Sequence, residues 1–245
     1  MKPKDEIDDP RRDFLIWALS TGLLSSGLIP SSSLAQSLFG SKPSKLPQGQ
    51  SIYRLNGEAT VNGQAATLKT KVAPGDTIKT GKDSEIIFVV NSQSMILRSE
   101  SHLVIEATKK EDASLLVKGL RMLAGKLLTV SRDTPMRVDT PTATIGIRGT
   151  GFYVEADPEL TYFCTCYGKT EVQASADPES KASVIATHHD RPLYIVKGED
   201  RGNNIRNAPF VNHTDQELAL IEALVGRSTP FVFSNDAYTA PRRNY

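Results

Sequence analysis

From about Ile52 to Val172, runs of five to eight residues rich in Val, Ile, Thr and Leu alternate with turn signals. The turns include Asn62-Gly63, Pro74-Gly75-Asp76, Gly81-Lys82-Asp83, Gly125 and Asp133-Thr134-Pro135. This pattern restricts the chain to an all-β fold, a compact sandwich or a short solenoid-like stack. Two runs, Ile86 to Val90 and Leu115 to Val117, are continuously apolar. Strands of that kind are expected to be covered on both faces.

One helix is predicted, near the C-terminus. Thr214-Asp215-Gln216-Glu217 is a capping box, Leu218, Ile221, Leu224 and Val225 form an apolar stripe, and Gly226 closes the segment. The stripe is expected to pack on the β domain. The predicted organisation is a signal peptide over 1–35, a linker over 36–50, a β domain over 51–175 and a C-terminal extension over 176–245, with its helix at about 214–226.

The N-terminus reads as an export signal. Arg11 and Arg12 precede a mildly apolar stretch from Phe14 to Ile29, too short and too interrupted for a membrane span. Ser33 and Ala35 place small side chains where a signal peptidase reads, so cleavage is expected after Ala35. Arg-Arg-x-Phe-Leu looks like a twin-arginine signal, which implies a periplasmic protein whose mature chain has no membrane span. The 29 basic and 28 acidic residues nearly cancel, and no basic cluster interleaved with aromatics follows the N-terminus. A nucleic-acid partner is therefore not expected.

The segment Val72 to Gly81, the strand Ser84 to Val90, and Val138-Asp139-Thr140-Pro141-Thr142-Ala143-Thr144-Ile145-Gly146-Ile147-Arg148-Gly149-Thr150-Gly151-Phe152-Tyr153-Val154 together resemble the FecR domain. Within them Gly75, Asp76, Arg148, Gly149 and Thr150 carry the motif. The glycines read as turn residues, and Arg148 is expected to tie up turn carbonyls rather than to contact a ligand. The resemblance implies an exported, non-enzymatic binding or sensing module whose partner is an envelope or periplasmic protein or ligand. Members of this family that regulate iron uptake differ in carrying a cytoplasmic anti-sigma segment and a further signalling domain, so sigma-factor regulation does not carry over directly.

The chemistry concentrates in Cys164 and Cys166. On a strand, residues i and i+2 share a face with Cα atoms about 6.6 to 6.8 Å apart, near the upper limit for a disulfide. Two parallel thiols instead make soft ligands for a transition metal ion, zinc, copper or iron. Further ligands are expected from His188, His189 and His213. If the first two lie on a strand they face opposite sides, so only one joins the thiols; the favoured set is Cys164, Cys166, His189 and His213. The alternatives are two small buried cysteines or a labile disulfide beside a solvated His-His loop, and a thiol-dependent enzyme. No nucleophile elbow, His-Glu-x-x-His helix or phosphate-cradling loop supports catalysis, and the chain is expected not to be an enzyme.

Overall fold

The computed structural model describes residues 44–109, 114–131, 135–198 and 201–231. The signal residues Arg11, Arg12 and Ala35 lie outside these. Fourteen strands follow one another: β1 (Ile52–Asn56), β2 (Ala59–Val61), β3 (Gln64–Ala65), β4 (Thr77–Thr80), β5 (Glu85–Val90), β6 (Gln93–Leu97), β7 (His102–Lys109), β8 (Leu115–Ser131), β9 (Met136–Asp139), β10 (Ala143–Ala156), β11 (Leu160–Ala174), β12 (Lys181–Ala186), β13 (Leu193–Val196) and β14 (Ile205–Asn207). Among the described residues one helix, α1 (Asp215–Leu224), follows them. The fold is all-β with one short C-terminal helix, as the alternation of strand and turn signals implies. Among the described residues, no helix is long and apolar enough to cross a membrane.

The strands form one open sheet, almost entirely antiparallel, in which β8 and β9 are the parallel exception. Turn chemistry fixes the hairpins. Asn62 and Gly63 both take positive φ, 51° and 80°, between Val61 and its partner Gln64, the geometry that makes Asn-Gly a strong two-residue hairpin signal. The sheet runs on past residue 175: β12 and β13 both pair with β11, and β14 with β13.

Three long strands change partners midway, which lets one sheet enclose a core. The first half of β8 pairs with β7 and β9, and its second half, from Gly125, pairs with β10 and β6. Gly125 has φ +89°, and a Cβ there would lie 2.1 Å from Ser101 Oγ, so no other residue fits this bend. Residues 144–147 of β10 pair with β9 and residues 150–156 with β8. The register of β10 slips between Arg148 and Gly151. On β11 the change from β13 to β12 spans Gly168, at φ +93°, whose Cβ would sit 2.5 Å from Gly149 O. The Arg-Gly-Thr-Gly motif is thus a strand bend.

Two apolar faces result. Ile86, Phe88, Met95, Leu97, Leu127, Phe152, Val154 and Phe163 belong to the principal core. Their strand neighbours Ile87, Ile96, Leu128, Tyr153, Cys164 and Cys166 point to the opposite face, and Leu218, Ile221 and Leu224 of α1 cover it. Both Ile86 and Ile87 are fully buried, which is why this run shows no alternation. The helix is held by its capping box: Thr214 Oγ1 accepts from Glu217 N at 3.2 Å, and Glu217 Oε2 accepts from Thr214 N at 2.9 Å. Arg98, just after β6, binds Glu217 at 2.8 Å, and Leu46 N donates to Leu224 O at 2.9 Å.

Candidate metal centre

Period-2 geometry puts Cys164 and Cys166 side by side on the helix-covered face of β11, and neither is exposed to solvent. The loop after β12 brings His189 over them. Asp190 shapes that loop, accepting from Thr187 N at 2.6 Å, Thr187 Oγ1 at 2.9 Å and His188 N at 3.3 Å. His189 takes φ 54°, outside the strand region, and its N–H donates to Cys166 O at 2.9 Å. His213 arrives from the segment leading into α1, immediately before the cap Thr214.

The four side chains converge. One ligand atom from each of Cys164, Cys166, His189 and His213 lies within 4.8 Å of every other. His189 Nδ1 is 3.5 Å from Cys164 Sγ and 3.2 Å from His213 Nε2. A tetrahedral ion with metal–nitrogen bonds near 2.05 Å and metal–sulfur bonds near 2.3 Å has N···N edges of about 3.3 Å and S···N edges of about 3.6 Å. The observed edges fit that figure.

The outer nitrogens reinforce it. His189 Nε2 lies 3.1 Å from Asp215 Oδ1, and His213 Nδ1 lies 2.8 Å from Val211 O. A carboxylate and a carbonyl only accept, so each ring keeps its proton on the outer nitrogen. Two lone pairs then face each other 3.2 Å apart beside two sulfurs, an arrangement that a cation, a metal ion or a proton, between them would stabilise. A carboxylate or carbonyl behind each histidine is the usual outer shell of a metal site.

The surroundings are tight and largely apolar. Tyr153 stacks on His213 at 4.5 Å between centroids, and Phe210 contacts His189 and His213 at 4.3 and 4.4 Å. Burial opposes ionisation of Cys164. The Cys166 hydrogen bond and the interactions with His213 and His189 outweigh it and hold this thiol well below the ordinary range. Burial, then the neighbouring Cys164, push Cys166 well up.

His188 stands apart from the four. It lies in a loop rather than on a strand, so it and His189 do not face opposite sides. Both rings turn toward Asp215, with His188 Nε2 2.9 Å from Asp215 Oδ2. With His189 and Asp215, His188 forms a second group of potential ligands; it is half-exposed and packed on Phe231 at 4.4 Å. His102 sits on β7 outside the cluster. Asp215 is the member that sequence reading passed over. It was read as part of the capping box, and the available signal was an acidic residue in the first turn close to His213.

The motif residues have structural placements. Gly75 takes φ +101°, and Asp76 accepts from Asn62 Nδ2 at 2.7 Å and Ala73 N at 2.8 Å. Thr150 is buried and donates to Lys169 O at 3.2 Å. Gly149 has φ 58° in the strand bend. Arg148 does not tie up turn carbonyls: it is exposed, and its side chain makes no hydrogen bond with any described residue.

Residues 76–171 match the family described as FecR protein. No curated protein matches the chain. Two crystal structures from Parabacteroides distasonis ATCC 8503, each provisionally described as an anti-sigma factor, are similar to parts of it. The first is 19% identical with a TM-score of 0.41, over 54% of this chain and 58% of that one. The second is 18% identical with a TM-score of 0.42, over 58% and 70%. The chain thus spans little more than half the length of the first. The stretch that matches the FecR family holds both cysteines of the four-residue cluster, while both histidines lie beyond it.

Proposed function

We propose that the chain is a regulatory binding module of the cell envelope in which one transition metal ion, zinc foremost, joins the FecR domain to the C-terminal extension. The convergence of Cys164, Cys166, His189 and His213 within 4.8 Å carries this reading. All four side chains are buried, and four protein ligands complete a tetrahedron, which favours a closed structural or sensory site over one with an open position for substrate. A borderline-soft ion of tetrahedral preference suits two sulfurs and two nitrogens best, with copper(I) and iron(II) next. A Rieske-type cluster divides its cysteines and histidines between two irons; a sulfur and a histidine nitrogen 3.5 Å apart suit a single ion instead.

Burial of both sulfurs supports ligand chemistry over attack by a thiol on a substrate. Family membership supports a regulatory role rather than an enzymatic one, with an envelope protein or ligand as partner. Export through the twin-arginine route, with cleavage after Ala35, is part of the same reading. The test is elemental analysis of the mature chain purified without a histidine tag. About one metal ion per chain is expected, lost in Cys164→Ser/Cys166→Ser; a metal-free wild-type protein that does not take up added zinc contradicts the proposal.

A further inference from the structure

A second site lies on the bent strands of the FecR domain. An open groove of about 370 Å³ is lined by Lys118, Arg137, Gly146, Arg148, Lys169 and Glu171, with Pro135 at its rim. Four cations from β8, β9, β10 and β11 line it with the carboxylate of Glu171, and Asp139 and Glu106 stand beside Arg137. Two of the cations are already engaged: Arg137 Nε lies 2.7 Å from Asp139 Oδ2, and Lys169 Nζ lies 3.0 Å from Glu171 Oε1. Lys118 and Arg148 make no hydrogen bond or ion pair with any described residue.

Gly146 gives the groove its depth, and the backbone does not require a glycine there. Its φ is not positive, and an added Cβ would meet only Glu171, at 3.8 Å, an ordinary contact. This distinguishes it from Gly125 and Gly168, where any side chain collides with its neighbours. A glycine inside a strand weakens the strand and marks places where a ligand or another backbone approaches closely. Its effect here is an uncovered patch of sheet between Arg137, Arg148 and Lys169.

We propose that this groove binds a carboxylate-rich peptide segment of a partner protein. The unengaged guanidinium of Arg148 offers a planar fork that matches a carboxylate in two parallel hydrogen bonds, and Lys118 adds a point charge. Glu171 in the lining disfavours a doubly charged phosphate and supplies an acceptor for peptide N–H groups. Both sources of attraction lie in the FecR domain and are independent of the Cys/His cluster, so the groove stands whether or not a metal binds.

The test uses the whole mature chain and a fluorescein-labelled peptide of six glutamates, its glutamine counterpart, inorganic phosphate, and vesicles rich in phosphatidylglycerol. Fluorescence anisotropy is expected to show salt-sensitive binding of the glutamate peptide only. Gly146→Val, which fills the floor without changing charge, and Arg148→Ala are each expected to weaken it at least tenfold. Lys181→Ala, an exposed cation elsewhere on the sheet, should leave it within twofold. Thermal melting of each variant separates loss of binding from loss of fold. Absence of peptide binding, equal binding by wild type and Gly146→Val, or binding of vesicles or phosphate without the peptide overturns the proposal.

Discussion

His213 Nε2 lies 3.2 Å from His189 Nδ1, and the outer nitrogen of each ring faces an acceptor, Val211 O for His213 and Asp215 for His189. Those acceptors set the tautomers, and the tautomers aim both lone pairs inward. The metal reading rests on that chain of constraints as much as on the sulfurs.

On the proposed reading Asp215 would orient His189 toward the ion through its contact with His189 Nε2. Asp215→Asn is expected to retain about one ion per chain while affinity falls about 10- to 100-fold, the usual cost of losing an outer-shell partner. Competition with a chromophoric chelator measures it. Unchanged affinity would mean that the carboxylate serves the helix N-terminus alone.

An ion bound at this cluster would also fasten the extension to the sheet, since β11 would supply the sulfurs and the later loops the imidazoles. Removing it by chelation is expected to speed amide exchange in residues 208–225, with the β5–β6 hairpin slower to respond. Ile221, fully buried under α1, tests the apolar share of the same contact. Ile221→Ala should cost about 2–5 kcal/mol by denaturant unfolding.

The glycines of the FecR motif region divide by cause. Gly168→Ala must accommodate φ +93° and a Cβ 2.5 Å from Gly149 O, and a loss above about 1 kcal/mol is expected. Gly146→Ala meets neither obstacle and should be neutral or stabilising by about 0.5–1 kcal/mol. Thermal denaturation of the pair checks both.

Asp177 anchors the turn after β11. Its carboxylate accepts from Ser180 Oγ at 2.6 Å, Gly202 N at 2.6 Å and Asn204 Nδ2 at 2.9 Å. The hydrogen bond from Ser180, then that from Gly202, hold it at about 2, below the ordinary value of about 3.9. A depressed carboxylate adds stability above its unfolded value and loses it as pH falls toward the folded one. The melting difference between wild type and Asp177→Asn should thus be full at pH 5 to 7 and shrink between about pH 4 and pH 2.

Much of this was legible in the residues. Alternation and turn chemistry specified the strands, Thr214 to Glu217 the helix start, and the Cys-x-Cys spacing two sulfurs on one face. The partner changes of β8, β10 and β11 were not legible, because strand pairing is long-range and a glycine signals a bend without naming the new neighbour. His188 was grouped with the ligands because adjacent histidines look equivalent. The positive φ of His189 and the position of Asp215 separate them, and both depend on how the extension folds back.

X-ray absorption at the metal edge of the natively purified chain tests the central claim most directly. Two sulfurs at about 2.3 Å and two nitrogens at about 2.0–2.1 Å are expected around one ion, with the sulfur shell gone in Cys164→Ser/Cys166→Ser. A shell of nitrogen and oxygen alone in the wild type, unaltered by that double substitution, would contradict it.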